Sequence, residues 1–310
     1  MARKKKGDPV HGWLALDKPL GMTSTQALAR VKRLFNAQKA GHGGTLDPLA
    51  SGVLPIAFGE ATKTVAYAME GEKSYRFTLR WGQATETDDT EGAVIAESHR
   101  RPTRAEIEAA LPAFLGEIEQ TPPRYSAVKL QGERAYDLAR DGQEFELKKR
   151  LVEIHELTLL DIPDEDHAVL EMRCGKGVYV RSLARDLGEA LGTHAHVSAL
   201  RRTAVGAFTE DKSISLDSLE SLGHSPAAFE HLLPIETALD DIPALALSEA
   251  EALSLKRGQS VSLLSRLYKE RITALDLEVG EVVCAMAKGK PVALARYEGG
   301  SLSPVRVLNL

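Results

Sequence analysis

Residues 41–52 read Gly-His-Gly-Gly-Thr-Leu-Asp-Pro-Leu-Ala-Ser-Gly. Four glycines let this backbone turn tightly and take left-handed dihedrals, so the flanking segments must enter and leave a compact loop. His42 and Asp47 are its only titratable side chains, and they present one imidazole and one carboxylate on a preformed platform. Loops carry binding and catalytic groups more often than regular elements do. An Asp before a proline also caps turns, and a single histidine is commonly structural, so the loop alone supports both readings. It lacks the Gly-Lys-Ser/Thr ending of a phosphate-binding P-loop, and Leu46 stands where a dinucleotide fingerprint needs its third glycine. A nucleotide-cofactor site is disfavoured.

The surrounding chain is 310 residues long, which suggests two domains rather than one core. Its 43% hydrophobic and 27% charged residues fit a soluble globular protein. No apolar run approaches a membrane span, and the basic N-terminus lacks an apolar core, so neither anchor nor secretion signal is expected and the cytoplasm follows. Cys174 and Cys284 stand far apart without a Cys-x-x-Cys or Cys/His cluster, so two free thiols and no metal site are expected. The net charge of −5 is unevenly spread. Residues 1–63 hold ten Lys/Arg against four Asp/Glu, or +6, leaving −11 for the rest. A polyanion could be drawn to that basic end, which includes the glycine loop, although a basic helix face is commonly just solvated.

In chain order, residues 1–10 with Arg3-Lys4-Lys5-Lys6 read as a basic disordered tail. An apolar strand over 12–17 is followed by Lys18-Pro19, with Ser24 as the expected N-cap of a helix bearing Ala27, Leu28, Val31 and Phe35. A strand over 53–58 and a helix over 60–69 carrying Lys63 follow the glycine loop. The clearest strand is 73–81, where Tyr75, Phe77, Leu79 and Trp81 alternate with polar residues. Residues 85–92 form an acidic loop only loosely like a divalent-cation loop, because they lack its ligand spacing. Thr103 and Glu106 make a capping box for a helix to about residue 115. Paired strands are predicted over 151–160 and 168–174, and a helix to about 191 places Tyr179 and Arg181 near its start. Leu200-Arg201-Arg202-Thr203 leads towards a further strand. Beyond a linker over 216–242, a helix over 248–255 and strands over 282–287 and 292–297 suggest a small mostly-β domain.

Together, Gly41-His42, Thr45-Leu46-Asp47-Pro48-Leu49-Ala50, Tyr75, the block from Pro122-Pro123 to Ser126-Ala127 and Lys129, Gly177-x-Tyr179-x-Arg181 and Leu200-Arg201-Arg202 resemble the bacterial tRNA pseudouridine-55 synthase family, TruB. The resemblance spans roughly residues 11–210, with Gly43 standing where the family commonly has Thr. It implies an α+β fold: a pseudouridine synthase catalytic domain over 11–235 with a mixed, largely antiparallel sheet flanked by helices. A small C-terminal, mostly-β, PUA-like RNA-binding domain over 240–310 is implied to follow. The implied activity isomerises one uridine in the T arm of tRNA from an N-glycoside to a C-glycoside, which leaves redox balance unchanged and requires no cofactor. Asp47 matches the family's nucleophile, Arg181 its partner, and Tyr75 the residue that stacks on a flipped base. His42 is implied to hold the rearranged RNA loop. Tyr179 and Leu200 would line the pocket, with Lys63, Asp89, Arg201 and Arg202 as further substrate or RNA contacts. The implied partner is the tRNA T-arm stem-loop, with no membrane, no obligate protein partner and a monomeric chain. Rival readings are a non-catalytic tRNA chaperone, a metal- or nucleotide-dependent enzyme built on the acidic loop, and a guide-RNA-dependent relative. The self-contained chain looks more like the stand-alone bacterial form.

Overall fold

A computed structural model describes residues 7–126, 128–130 and 132–310. The block expected around Ser126 therefore includes one position, Ala127, outside the described residues, as does the basic run Arg3–Lys6. Gly7 to Val10 are not loose: Asp8 bridges to Ala37, the Asn36 side chain donates to Asp8 at 2.9 Å, and Val10 is buried. Residues 8–10, part of the segment expected to be a tail, are thus fixed to the fold, because Val10 has apolar cover and Asp8 has partners.

The N-terminal part of the chain is built on ten strands: β1 (Gly12–Lys18), β2 (Ala40–His42), β3 (Ala50–Phe58), β4 (Lys73–Trp81), β5 (Gly116–Gln120), β6 (Arg150–Asp164), β7 (His167–Cys174), β8 (Ala195–Val205), β9 (Phe208–Thr209) and β10 (Ile214–Ser215). Their order is β10-β1-β3-β8-β4-β7-β6-β5, with β2 added on β3 and β9 on β8. Pairing is antiparallel except at β1·β10 and β3·β8, so the sheet is mixed and largely antiparallel, as expected.

The two hydropathy patterns of these strands follow from what covers them. Along β1 and β3, Leu14, Leu16, Leu54 and Ile56 pack under helix α1 (Ser24–Leu34), while Trp13, Ala15, Val53 and Ala57 pack on the opposite side with Ala61, Ala68 and Phe208. Both faces are covered, so these strands read as continuous apolar runs. In β4, Phe77, Leu79 and Trp81 face Leu183 and Leu187 of α4 (Val180–Ala190), while the other face is more open, giving strict alternation.

Several expected boundaries shift for local reasons. The helix expected over 60–69 splits into a 3₁₀ turn, Gly59–Lys63, and α2 (Val65–Glu70). At the joint the Thr64 hydroxyl donates to the Ala61 carbonyl at 2.9 Å and accepts from the Trp13 indole at 3.3 Å. Helix α3 (Arg104–Ala110) has its capping box at Thr103 and Glu106 but gives way to a 3₁₀ turn containing Pro112, which has no N–H to donate. Strand β8 starts at Ala195, before Leu200, its apolar signal broken by two bulges and by the buried polar residues His196 and Arg202.

The C-terminal sheet has the order β11-β13-β14-β15-β12, from Ala244–Ala246 (β11), Val261–Ser262 (β12), Val282–Ala287 (β13), Lys290–Tyr297 (β14) and Ser301–Val307 (β15). Helices α5 (Glu249–Lys256) and α6 (Arg266–Ala274) flank it; α6, capped by Ser265, had no counterpart in the sequence reading. The last residues of the chain dock on the ten-stranded sheet. Leu308 is buried beside Trp13 and Val53, and the Asn309 N–H donates to Glu60 at 2.7 Å.

Candidate active site

The loop over 41–52 lies between β2 and β3 at the centre of the sheet. β2 pairs His42 with Ile56, and the Gly43 N–H donates to the Pro55 carbonyl at 2.8 Å. Gly52 takes φ +99°, and a Cβ there would lie 2.2 Å from the Arg202 carbonyl oxygen, so β8 approaches too closely for a side chain. Gly43 is buried, and a Cβ at that position would stand 3.2 Å from Ala68 Cβ, tighter than ordinary contact. The glycine replacing the family's Thr is thus matched by close packing from α2.

Two buried polar side chains, Ser24 and Arg202, hydrogen-bond to the loop, and a third, Lys18, holds the turn that follows β1. Ser24 Oγ donates to the Leu46 carbonyl and accepts from its N–H, both at 2.8 Å, which clamps the residue before Asp47. The N-cap of α1 is Thr23, in a capping box with Gln26; Ser24, expected in that role, turns to the loop instead. Arg202, 2% exposed, donates to the carbonyls of Val53 (2.8 Å), Gly44 (3.1 Å) and Thr45 (3.3 Å). Lys18, fully buried, donates to the Pro19 and Met22 carbonyls at 2.8 and 2.7 Å. Burial pushes the Lys18 ammonium down to about 8, opposed by the Asp47 carboxylate and reinforced by Arg202. The sequence reading gave Lys18 and Ser24 no site role; a lysine closing an apolar strand was the available signal for the first.

Asp47 meets Arg181 at 2.8 Å, with its side chain still 45% exposed. Arg181, at the start of α4, is 9% exposed and is held by four acceptors on three segments. It also pairs with Asp89 at 3.4 Å and donates to the carbonyls of Thr87 at 3.1 Å and Tyr125 at 3.0 Å. Asp89 is buried and accepts from the Glu91 N–H at 3.0 Å. Beside it, Asp88 takes φ +59° and pairs with Arg185 at 3.0 Å. Burial outweighs that cation and pushes the Asp88 carboxyl up to about 6. The acidic loop therefore commits the buried Asp89 to Arg181 and the half-buried Asp88 to Arg185, and the first of these pairs helps orient Arg181.

Asp47, Tyr75, Tyr179, Arg181, Leu200 and Ser126 line a cavity of about 190 Å³. That is below the roughly 300–1,000 Å³ of drug-sized pockets and suits a single small ring. Two clefts of about 650 and 670 Å³ lie around Arg185 and Lys149, but neither contains Asp47 or Tyr75, so size alone does not mark the site. Burial holds the Tyr75 phenol above its usual range, with the Arg202 charge opposing, so near neutral pH Tyr75 is a hydrogen-bond donor and an aromatic face. Burial raises Tyr179 likewise, and its backbone is held by reciprocal bonds with the Gln120 side chain at 2.8 and 3.1 Å.

The remaining expected residues stand elsewhere. Arg202 is buried against loop carbonyls and offers nothing to a phosphate; it positions the loop. Arg201 is committed to a bidentate pair with Asp17 at 3.0 Å and to Glu210. Lys63 pairs with Glu60 at 2.6 Å and donates to the Val307 carbonyl at 2.7 Å, so it ties the two halves together instead of reaching the cavity. His42 lies behind the loop, outside the cavity lining; its Nδ1 is buried without a hydrogen bond, and burial lowers its pKa, reinforced by Arg202.

Residues 32–180 match the N-terminal domain of the TruB family of pseudouridylate synthases, and residues 181–240 match the tRNA pseudouridylate synthase B C-terminal domain. The chain is 56% identical over 311 residues to tRNA pseudouridine synthase B of Caulobacter vibrioides, covering 100% of both chains. It is 57% identical over 321 residues to that of Bradyrhizobium diazoefficiens, covering 100% of this chain and 91% of the relative. A chain in a crystal structure of a Cbf5–Nop10–Gar1 complex shares its fold with a TM-score of 0.74 at 25% identity, over 100% of this chain and 91% of that one. With more than half of its residues identical to relatives aligned along its whole length, this chain belongs to the TruB family of pseudouridine synthases.

Proposed function

We propose that the protein isomerises one uridine in the T arm of tRNA to pseudouridine, with Asp47 as the nucleophile. The observation that carries this reading is the Asp47 carboxylate, oriented by Arg181 at 2.8 Å at the wall of a cavity large enough for one ring. In the reaction the bond from C1′ to N1 breaks and one from C1′ to C5 forms, while C5 loses a proton and N1 gains one. Nothing is oxidised and no group leaves, so a carboxylate that makes and releases a covalent bond to the nucleoside suffices.

The uridine has to leave its stack to reach the cavity, at a cost of a few kcal/mol. Tyr75 supplies an aromatic face against the extruded base, and Tyr179 and Leu200 complete the wall. Arg181 cannot drift while its four acceptors hold it, so Asp47 meets the base in one orientation. We place the enzyme in the cytoplasm as a monomer, with the C-terminal sheet as a PUA-like RNA-binding domain. A tRNA-folding role beside catalysis would rest on binding alone and would survive Asp47→Asn.

Incubation with an unmodified tRNA transcript, followed by carbodiimide labelling and primer extension, tests the assignment. One new pseudouridine in the T arm is expected; modification confined to another arm would refute the choice of target.

A further inference from the structure

Among the described residues, four buried polar side-chain atoms have no hydrogen-bond partner: His42 Nδ1, Arg80 Nε, Ser126 Oγ and Thr209 Oγ1. Of these residues, Ser126 alone lines the cavity that holds Asp47. It is 4% exposed, so water does not replace the missing bond freely. The Tyr179 hydroxyl lies near it without reaching hydrogen-bond geometry. A buried hydroxyl left unmade is costly, and such a group in a native structure calls for a reason.

The placement of Ser126 supplies one. The carbonyl just before it, on Tyr125, accepts from Arg181 Nη2 at 3.0 Å, and the same nitrogen holds Asp47 at 2.8 Å. The Ser126 carbonyl is taken by the Tyr136 N–H at 3.0 Å. The backbone on each side of the hydroxyl is therefore pinned, and one guanidinium sets the spacing between that backbone and the nucleophile. A uracil ring carries two carbonyl oxygens along its edge, each able to accept from a serine hydroxyl.

We propose that Ser126 Oγ donates a hydrogen bond to a carbonyl oxygen of the flipped uracil and so sets the register of the base against Asp47. This rests on the uridine-isomerase reading above. The test compares the full-length protein with Ser126→Ala in single-turnover tritium release from [5-³H]uridine in a T-arm stem-loop. The same RNA is then used with 2-thiouridine or 4-thiouridine at the target, since sulfur accepts weakly. Wild type should slow roughly five-fold on one of the two thio-substrates, the size of one neutral hydrogen bond. Ser126→Ala should slow by a similar factor on uridine and show no further loss on that thio-substrate. The thermal midpoint of the free variant should equal or exceed that of wild type, since no bond within the chain is lost. The proposal is overturned by a wild-type rate for Ser126→Ala on uridine or by equal thio penalties in both proteins. It is also overturned by a lowered midpoint, which would show the hydroxyl already bonded. Wild type releasing no tritium would sink the uridine reading itself.

Discussion

Replacing Arg181 with lysine separates the charge at this position from its shape. The guanidinium donates at 2.8–3.4 Å to acceptors on Asp47, Thr87, Asp89 and Tyr125. An ammonium has three donors on one nitrogen and cannot span that spread. If lysine keeps the two carboxylates, the carbonyls of Thr87 and Tyr125 lose a charged donor each. At about 1.5 kcal/mol per bond, Arg181→Lys should cost ~3 kcal/mol of stability. Asp47 then loses its fixed orientation, and one charge-assisted bond of about 1.5–3 kcal/mol corresponds to a roughly 10- to 150-fold slower chemical step. Denaturant unfolding measures the first effect, and single-turnover tritium release with enzyme in excess measures the second. Filter binding of the same stem-loop should change less than about three-fold, because Arg181 is buried and spends its donors on acceptors within the chain. A folded variant with a rate within two-fold of wild type would refute the orienting role, as would an affinity that falls in step with the rate.

Three other substitutions probe separate parts of the account. Tyr75→Phe keeps the aromatic face and removes the hydroxyl, so it should slow turnover while stem-loop affinity stays within about three-fold; equal losses in both would contradict the assignment. Lys63→Ala should leave turnover near wild type but speed hydrogen exchange in β15, because the cation holding the Val307 carbonyl is gone; unchanged exchange would refute the docking role. Asp88 has a carboxyl at about 6 in the folded protein against about 3.9 unfolded. Between those values the native state binds more protons, so the stability this group contributes falls as pH rises from about 4 to 6, by up to ~3 kcal/mol. Asp88→Asn should therefore gain on wild type by that order between pH 4 and pH 7.5, and a constant gap would count against it.

What the sequence disclosed and what it hid divide along physical lines. Strand β4 was legible because one face is covered and the other is not, so periodicity survives in the residues themselves. The capping box at Thr103 was legible for the same local reason, its partner Glu106 being three residues away. The glycine loop showed its tight turns, but not the cations beneath it. Arg202 was expected at the substrate because the loop carbonyls that hold it lie up to 158 residues distant in the chain, and Lys18 showed no role because its burial comes from packing that its near neighbours do not reveal. Lys63 was misplaced because its partner strand lies 244 residues away. The Asp47–Arg181 pair itself, 134 residues apart, was reached only through family resemblance, and the geometry then brought the two within 2.8 Å.

The central claim is that Asp47 performs the chemistry on an extruded uridine. Single-turnover tritium release from C5 in the T-arm stem-loop, with wild type and Asp47→Asn at matched RNA occupancy and with a chelator present, tests it most directly. Full release by wild type and none above background by Asp47→Asn are expected, with RNA bound equally by both. Release by Asp47→Asn at a rate near wild type would contradict it.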